Sequence, residues 1–296
     1  MISILIPVYN WDIKNLAQIL SDQLSDLNIN SEVIFYDDCS TDLALTEINK
    51  NVVEKLDFNY VLSSQNRGIA EALNYLATLA KYDWLIYLDA DVLPIKSDFL
   101  KNYIEQITDE IKVFCGGLYY SELQPKEGIL RWKYGKKYEV QTVEKANENP
   151  YLNFKACNFL IHRMVIQEYP FVSNNGKEYA AIDTLFGLKL ENTPIKIEFI
   201  ENRVYHLGLE TNEIYLKKVE NYVKSISKSF QINPELDSVR LVRFYKHKHK
   251  ILLKTYAYIF KYSKPLIIRN LLSNNSFLFL LQFYKLGLFI EELNKK

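Results

Sequence analysis

Apolar and polar positions form regular blocks over the first 120 residues. Continuous apolar runs such as "SILIPV", Ser3 to Val8, are typical of strands buried on both faces. Between these runs, apolar residues recur every three to four positions, which predicts amphipathic helices. The predicted strands are Ser3 to Val8, Glu32 to Tyr36, "FNYVLS" and "DWLIYLD", and the predicted helices are Asp12 to Leu27, Thr41 to Leu56 and Gly68 to Tyr82.

The alternation of strands and helices predicts an α/β fold with a mainly parallel, twisted sheet and helices on both of its faces. Ligands of such sheets bind outside the carboxyl ends of the strands. Folding alone does not require polar side chains at several strand ends, so their presence predicts a binding site at that edge. The polar residues that follow the four predicted strands are Tyr9 and Asn10, Asp37 and Asp38, Asn66 and Arg67, and Asp89 and Asp91.

The pattern is less regular in the rest of the chain. A stretch rich in Lys, Glu and Tyr follows a predicted strand at Val113 to Tyr120, and it predicts a mobile loop or a small insertion up to about Asn149. Regular patterns resume in "FKACNFLIHRMVI" and "IDTLFGLKLE", and "IKIEFIENRVYHLG" predicts one last strand that ends at His206. From Asn212 onward the pattern is largely helical.

Charge divides the chain into two regions. Residues 1–210 contain 20 Lys and Arg against 30 Asp and Glu, whereas residues 211–296 contain 16 against 6. No acidic residue occurs from Ser238 to Ile290. We therefore predict one domain over residues 1–210 and a basic, aromatic-rich helical extension over residues 211–296, with different partners.

Composition excludes several protein classes. With 296 residues, 48% of them hydrophobic, the chain can build a sizeable core. Cys39, Cys115 and Cys157 are scattered and lack CxxC spacing, which predicts neither a disulfide framework nor a zinc site. The amino terminus lacks the basic segment and the cleavage site of a signal peptide. No apolar run is as long as the stretch of about 18 residues that a membrane-spanning helix needs. These features predict a cytoplasmic protein.

The segment "YLDADV" ends a predicted buried strand with two carboxylates, those of Asp89 and Asp91. Burying an unpaired carboxylate is costly, so the pair needs a cation, a hydrogen-bond network or open solvent. A turn at this point lets both side chains face a common site. Such a pair suits Mg²⁺ or Mn²⁺, which take oxygen ligands and bridge to phosphates. The pattern alone leaves a solvated loop as the alternative.

Seven short segments occur in order along residues 1–210: "SILIPVYN", "YDDCSTD", "NRG", "YLDADV", "FKACNFLIHR", "AAIDTLFGLKL" and "VYHLG". In this order and rough spacing they resemble the family 2 glycosyltransferases, enzymes of GT-A fold that use nucleotide sugars. The set is specific, although each segment alone is a weak signal. The resemblance implies a GT-A-like sheet over residues 1–210.

For the nucleotide base, the resemblance implies a site built from the first two strand ends. Pro7, Tyr9 and Asn10 match the segment that packs along the base, with Tyr9 as the stacking partner. Asp37 and Asp38 match the acidic pair whose carboxylate accepts a hydrogen bond from the base, typically from uracil N3–H. An unpaired buried acceptor costs about 1–3 kcal/mol, which favours such a base. The alternatives are a plain strand end and a helix amino terminus rich in capping residues.

Further donor-binding positions follow the third and fourth strands. Asn66 and Arg67 match positions near the base and the diphosphate, where the planar guanidinium suits phosphate oxygens. Asp89 and Ala90 match the start of the metal motif, in which the first aspartate commonly meets the ribose or a metal-bound water. A surface arginine without a ligand is the alternative for Arg67.

A divalent cation, Mn²⁺ or Mg²⁺, is the cofactor that the resemblance implies. Asp91 matches the position that ligates the cation. His206 matches a position that supplies a further metal ligand in some relatives. A histidine with a purely structural role is the alternative for His206.

Asp183 matches the acidic residue that, in inverting members, removes the proton from the acceptor hydroxyl. A positioned base of this kind contributes about 10²- to 10⁴-fold to the rate. Most relatives have a Glu-Asp pair, whereas this sequence has Ile182 before the aspartate. A helix N-cap is the alternative for Asp183. Cys157 and Asn158 fall where relatives have small residues that border the donor sugar, and nothing in the sequence argues for a cysteine nucleophile.

The resemblance as a whole implies an inverting, metal-dependent glycosyltransferase. It would move a sugar from a nucleoside diphosphate donor, with UDP favoured by Asp38, to a hydroxyl of a saccharide or lipid-linked acceptor. Ile182 leaves open a second hypothesis, a non-catalytic relative that binds sugar nucleotides. A nucleotidyltransferase is a third, although "PVYNWD" lacks the Gly-rich phosphate loop with a basic residue that this class needs.

Residues 238–290 combine ten Lys and Arg residues with many aromatic ones. A basic, aromatic, helical segment suits an anionic membrane surface, at about 1 kcal/mol for each basic residue near the lipid. One hypothesis is that this segment docks the enzyme on the inner leaflet, where lipid-linked or envelope-bound acceptors lie. The other is that it packs as helices against the acidic region 1–210. No recognition motif supports nucleic acid as a partner.

Overall fold

The structure, a computed structural model, describes residues 1–172, 181–234 and 236–295. By the contacts between its residues the chain divides into two compact units. The first unit comprises Met1–Tyr120, Glu139–Glu178 and Ile182–Gly208, and the second unit comprises Ser121–Tyr138, Tyr179–Ala181 and Leu209–Lys296. Ala180, in the segment "AAID", lies outside the described residues.

All strands of the described residues belong to the first unit. Short apolar runs form them, as the sequence predicts, and β1 is buried along its whole length. The strands are β1 (Ile2–Val8), β2 (Ser31–Asp37), β3 (Asn59–Leu62), β4 (Trp84–Leu88), β5 (Val92–Pro94), β6 (Lys112–Cys115), β7 (Leu118–Tyr119), β8 (Asn158–His162), β9 (Lys196–Phe199) and β10 (Val204–His206).

Seven strands form one sheet in the order β3-β2-β1-β4-β8-β6-β9, and three form a second sheet in the order β5-β10-β7. In the larger sheet β8 is antiparallel to β4 and β6, and the other neighbouring pairs are parallel. The carboxyl ends of β1, β2, β3 and β4 therefore lie along one edge. The mainly parallel sheet is confirmed.

The predicted single strand "IKIEFIENRVYHLG" is wrong, because it consists of β9 and β10 in two different sheets. A turn separates them, in which the backbone N–H of Asn202 donates to the C=O of Ile200 at 2.9 Å. The fully buried Asn202 side chain donates to the C=O of Phe99 at 3.0 Å. These local hydrogen bonds fix the change of direction, which apolar periodicity does not reveal.

Helices fill both faces of the larger sheet, and they make up most of the second unit. The helices are α1 (Lys14–Ser25), α2 (Leu43–Lys55), α3 (Ile69–Leu79), α4 (Phe99–Ile104), α5 (Ile129–Tyr138), α6 (Val143–Asn147), α7 (Pro150–Asn153), α8 (Arg163–Glu168), α9 (Ile182–Glu191), α10 (Asn212–Ile232), α11 (Arg240–Lys246), α12 (Lys250–Leu271) and α13 (Leu278–Asn294).

Alternate residues of the central strands enter two separate cores. Ile4 and Ile6 of β1 pack in one cluster with Leu16 of α1. Leu5, which points to the opposite face of the pleat, packs in the other cluster with Leu73 of α3. All five side chains are essentially inaccessible to solvent. Two buried faces explain why β1 reads as a continuous apolar run.

The segment predicted as a mobile loop or insertion up to about Asn149 instead contains α5 and α6. Within the second unit, the first turn of α5 is fixed by Asn212, whose Oδ1 accepts from the N–H of Leu130 at 2.9 Å. Lys133 Nζ donates to the C=O of Ser276 at 3.0 Å. A backbone N–H group and a lysine side chain make these two contacts, so the apolar spacing usual for a helix does not reveal them.

Among the described residues of the second unit, the regular elements are all helices, which matches the helical pattern seen after Asn212. Helices α12 and α13 pack closely at Gly287, where a Cβ atom would lie 2.3 Å from the ring of Phe260. None of the described helices combines the length and the apolar composition that crossing a bilayer requires.

Candidate active site

Asp38 joins the carboxyl ends of β1 and β2 to the loop after β3. Its N–H donates to the C=O of Val8 at 2.9 Å, and its two carboxylate oxygens accept from the backbone N–H groups of Arg67 and Gly68, each at 2.8 Å. Asp38 is only 5% exposed. Each carboxylate oxygen has a second lone pair, so an N–H group of a base can still be accepted. The structure thus brings Asp38 and Arg67 together at the sheet edge.

Asp37 makes its hydrogen bonds within the protein. It is fully buried, and its carboxylate accepts from the N–H of Ser40 at 2.7 Å and from the hydroxyl of Tyr60 at 2.5 Å. Burial, together with this bond to Asp37, raises the pKa of Tyr60. The Asp37 carboxylate holds the turn after β2 and faces the protein interior, and its role as a donor contact stays a prediction.

The segment after β1 presents one aromatic side chain and one structural amide. Pro7 is buried within β1, opposite Tyr36 of β2. Tyr9 is 50% exposed, so its ring is accessible for stacking. Asn10 lies in the left-handed region at φ 48°, and its Oδ1 accepts from the N–H groups of Thr41 and Asp42 at 2.8 and 3.0 Å. Asn10 therefore links the loops after β1 and β2.

The Arg67 side chain lies against an aromatic ring. Its guanidinium carbon is 4.9 Å from the centre of the Tyr75 ring, and Tyr75 in turn contacts the ring of Tyr36. Arg67 Nε is buried and makes no hydrogen bond within the described residues. The neighbouring Asn66 is exposed, and its Nδ2 donates to the C=O of Asp38 at 3.0 Å. A preorganised, incompletely satisfied guanidinium suits a phosphate or a base oxygen.

Asp91 and His206, which are distant in sequence, meet beyond the end of β4. His206 is opposite Val92 in the antiparallel pairing of β10 with β5. As a result His206 Nε2 lies 3.8 Å from Asp91 Oδ2. The C=O of Asp91 accepts from the N–H of Leu207 at 2.8 Å, which fixes the two segments together. The two predicted metal ligands are therefore neighbours.

Asp89 and Ala90 precede this pair. The N–H of Asp89 donates to the C=O of Cys157 at 3.1 Å, so the strand end is tied to the segment that enters β8. Ala90 is 8% exposed. Because the Ala90 side chain is small, the polar surface at this point is formed by the neighbouring side chains of Asp89 and Asp91.

Tyr120 packs against His206, and Glu139 in turn binds Tyr120. The sequence did not predict these contacts. The Tyr120 ring stacks on the His206 ring with centroids 5.3 Å apart and planes at 25°. The buried Tyr120 hydroxyl donates to the carboxylate of Glu139. Stacking fixes the imidazole plane, an orienting role that residues behind metal ligands commonly have. No local motif distinguishes Tyr120 from the other 21 tyrosines.

Four carboxylates act electrostatically on the buried thiol of Cys157. Burial raises its pKa well above the ordinary value, and the negative charges of Asp89, Asp183, Asp91 and Glu139 raise it further. A thiol in this setting stays protonated near neutral pH, so it is unsuited to act as a nucleophile. The acidic side chains that follow β4, begin α9 and follow α5 are thus all near enough to act electrostatically on Cys157.

Asp183 lies in the first turn of α9, and its Oδ1 accepts from the backbone N–H of Ala156 at 3.2 Å. Asn158, predicted to border the donor sugar, is buried, and its amide donates to the C=O groups of Gly117 and Asn202 at 3.0 and 2.9 Å. Its Oδ1 accepts from the Tyr103 hydroxyl at 2.7 Å. These bonds give Asn158 a role in joining strands, and its place beside the donor sugar stays a prediction.

The residues present fit a divalent cation that arrives with its nucleotide. A carboxylate oxygen suits Mg²⁺ or Mn²⁺, and a neutral imidazole is the commonest metal ligand, so Asp91 and His206 are appropriate donors. Within the described ranges no group of three or more His, Cys, Asp or Glu side chains could hold a metal by itself. Diphosphate oxygens and water would complete the coordination, as they often do for Mg²⁺.

Comparison with protein families gives an independent view of these residues. Residues 3–169, more than half of the chain, match the sequence model of a family described as Glycosyl transferase family 2. The match includes Asp38, Arg67 and Asp91 and ends before Asp183 and His206. An uncharacterized glycosyltransferase of Haemophilus influenzae is 34% identical over 110 residues, which are 36% of this chain and 35% of that protein. The match thus spans about a third of that relative.

Solved structures of similar fold are glycosyltransferases. Mannosyltransferase PcManGT from Pyrobaculum calidifontis, in complex with GDP-Man and Mn²⁺, has a TM-score of 0.55 at 15% identity, over 97% of this chain and 86% of that chain. Residues 1–349 of Staphylococcus aureus TarS give 0.52 at 16%, over 99% and 88%. Glucosyl-3-phosphoglycerate synthase from Mycobacterium tuberculosis, with Mn²⁺, UDP and phosphoglyceric acid, gives 0.53 at 14%, over 78% of each chain. The predicted GT-A fold is confirmed.

Proposed function

The chain belongs to Glycosyl transferase family 2, and from this premise we propose that it transfers a sugar from a UDP-linked donor to an acceptor hydroxyl with inversion of configuration. The acceptor is a saccharide or a lipid-linked molecule. The observation that carries the proposal is the meeting of Asp91 and His206 at 3.8 Å, at the sheet edge that also bears Asp38 and Arg67.

The nucleoside lies across the ends of β1, β2 and β3 in this proposal. Tyr9 offers an exposed ring for stacking on the base, and Asp38 accepts from uracil N3–H with the lone pairs that its backbone partners leave. Arg67 meets the base or the diphosphate with its buried, unsatisfied Nε side. Similar structures contain UDP in one case and GDP-Man in another, so the choice of UDP rests on Asp38.

Asp91 and His206 would hold the cation together with the diphosphate. A bound Mn²⁺ or Mg²⁺ supplies Lewis-acid stabilisation of the charge that builds on the diphosphate leaving group. The chain contributes the arrangement: the backbone bond from Leu207 to Asp91 and the Tyr120 ring against His206 keep both ligands in place. Preorganised ligands avoid reorganisation during the reaction.

Asp183 acts as the general base. As the acceptor oxygen forms its bond to the anomeric carbon, the bond from that carbon to the diphosphate breaks, and the hydroxyl proton passes to the Asp183 carboxylate. The hydrogen bond from Ala156 N–H orients this carboxylate at the start of α9. Direct displacement needs no covalent intermediate, and the protonated Cys157 offers no nucleophile for one.

In this proposal, the enzyme meets its acceptor at an anionic membrane surface. Four large apolar residues at helical spacing form one exposed face of α12, each of them about half or more exposed. Exposed lysines flank that face, and residues 238–290 contain no carboxylate to repel lipid phosphates. The apolar residues are Ile251, Tyr258, Tyr262 and Leu266, and the lysines are Lys250, Lys254 and Lys261.

Thermal unfolding with nucleotides tests the proposal directly. UDP with Mn²⁺ should raise the unfolding temperature more than UDP alone, because a ligand that binds only the native state stabilises it by about 2.7 kcal/mol at 100 times its Kd. Asp91→Asn should abolish the Mn²⁺-dependent part of the rise in unfolding temperature. Asp26→Asn, at an exposed carboxylate, should leave that part unchanged. Absence of any shift with UDP or GDP in the presence of Mn²⁺ would refute the proposal.

A further inference from the structure

A cavity of about 420 Å³ lies within the second unit, between helices α5, α10, α11, α12 and α13. Its size falls in the range of about 300–1,000 Å³ that is usual for small-molecule sites. Aromatic rings from all five helices form its walls. They include Tyr134, Tyr222, Phe244, Tyr256, Phe279 and Phe283.

The cavity is mainly apolar, and its lining includes exposed aromatic residues. Val239 and Leu286 in its lining are buried, whereas Phe279 is 67% exposed and Phe244 is 48% exposed. The Tyr256 hydroxyl donates to the C=O of Phe283 at 2.6 Å, so that polar group is already satisfied. A hydrocarbon chain can therefore lie against the Tyr256 ring without leaving its hydroxyl unpaired.

The charged residues of the lining are both basic. Lys285 is 8% exposed, its ammonium lies 4.3 Å from the centre of the Tyr134 ring, and its Nζ donates to the Tyr134 hydroxyl at 3.2 Å. Arg240, in the first turn of α11, lines the cavity from an exposed position. Among the described residues that line the cavity, none is acidic. The electrostatic environment therefore favours an anionic ligand.

From the volume, the apolar walls and the two cations we infer that this cavity binds a single-chain anionic amphiphile. The ligand has one alkyl or prenyl chain that lies along the aromatic walls and ends in a phosphate or a carboxylate that meets Arg240 or Lys285. The inference does not depend on the proposed glycosyl transfer, because nucleotide and metal take no part in the binding.

The direct test is calorimetric titration of the purified full chain, without nucleotide or metal, using dodecyl phosphate below its micelle concentration. Dodecanoate, dodecyl maltoside and inorganic phosphate are titrated in parallel. We expect saturable binding of dodecyl phosphate at one site, at least about tenfold tighter than that of the neutral maltoside. Binding of dodecanoate as well supports a general anion site, and its absence supports a phosphate-selective one. Inorganic phosphate should not compete with dodecyl phosphate for the site, because it lacks the alkyl chain.

Matched variants decide whether the ligand is in this cavity. Phe279→Ser, at the opening, should weaken binding about tenfold through lost apolar contact, whereas Phe277→Ser, also exposed but outside the lining, should not. Arg240→Gln should weaken binding of dodecyl phosphate but not of the neutral maltoside. Arg243→Gln, on the same helix, should leave binding of dodecyl phosphate unchanged. These positions are exposed, so the variants should fold, which circular dichroism checks. Absence of saturable binding, equal binding of the maltoside, or equal effects within each pair would overturn the inference.

Discussion

Gly208 lies so close to Asp91 that a Cβ atom built on it would be 1.7 Å from Oδ2 of the aspartate. The same oxygen is 3.8 Å from His206 Nε2. A side chain at position 208 would therefore occupy the place of the carboxylate. In our interpretation, the glycine that ends "VYHLG" is required so that the chain can pass Asp91, the proposed metal ligand.

Gly208→Ala should weaken Mn²⁺ binding to the UDP complex by about 10- to 100-fold, the range found when groups that orient metal ligands are changed. The added methyl group pushes the Asp91 carboxylate away from His206. Calorimetric titration of Mn²⁺ into the protein with UDP measures the change. Leu207→Ala, at an exposed neighbouring side chain, should bind Mn²⁺ normally. Unchanged Mn²⁺ affinity in the Gly208 variant would show that the close approach of Gly208 to Asp91 has no role in metal binding.

Asp183→Asn should lower the rate of sugar transfer by about 10²- to 10⁴-fold while UDP and Mn²⁺ still bind. Asparagine keeps an oxygen that can accept from the Ala156 N–H, so α9 should remain in place, but it cannot take up a proton. Transfer assays together with UDP titrations separate the two effects. Glu191→Gln, at the other end of α9, is the matched control. Turnover that survives in the Asp183 variant would show that another group is the base.

Alkaline pH should lower the free energy of unfolding through the buried thiols of Cys115 and Cys157. Burial raises both pKa values above the ordinary thiol range. The stabilisation is fully present below the unfolded pKa of about 8.5. It is lost above that pH, because only the unfolded thiols release their protons, at up to about 1.4 kcal/mol per pH unit for each thiol.

Urea unfolding between pH 7 and pH 9.5 measures this slope before the tyrosines, with ordinary pKa values near 10, contribute much. Cys157→Ala should give a shallower decline than the natural protein. Identical slopes for the two proteins would mean that the thiol of Cys157 is not the source of the pH dependence.

The exposed face of α12 should determine binding to anionic vesicles. Replacing Lys250, Lys254 and Lys261 by Gln should weaken binding by about 3 kcal/mol, at about 1 kcal/mol for each lysine, and high salt should have the same effect. Vesicle flotation at low salt measures it. Ile232→Ser, exposed in the same unit but outside this face, is the control for general surface effects. A natural chain that fails to float with anionic vesicles would contradict membrane docking.

Local sequence features were enough to predict the sheet edge and much of its chemistry. The apolar runs of β1, β2 and β4 and the helical spacing between them predict the parallel order, because buried parallel strands are apolar on both faces. Parallel order in turn places the residues that follow each strand on one edge. The joining of Asp38 and Arg67 follows from that topology.

Which polar side chains face a ligand was not predictable in the same way. Asp37 and Asp38 are adjacent in sequence, yet one holds a turn in the interior and the other binds the loop after β3 at the edge. The difference depends on backbone direction at the turn and on hydrogen-bond partners far along the chain, such as Tyr60. The strand-joining role of Asn158 was not predictable for the same reason, since its partners come from three other segments.

The sequence by itself determined the strands, most of the helices, the sheet edge and the residue types of the site, because these depend on periodicity and on short segments of chain. Only the tertiary structure decided the meeting of Asp91 with His206, the close passage of Gly208, and the cavity between five helices of the second unit. Those features are contacts between residues distant in sequence, whose geometry is fixed by packing and hydrogen bonding of the whole unit.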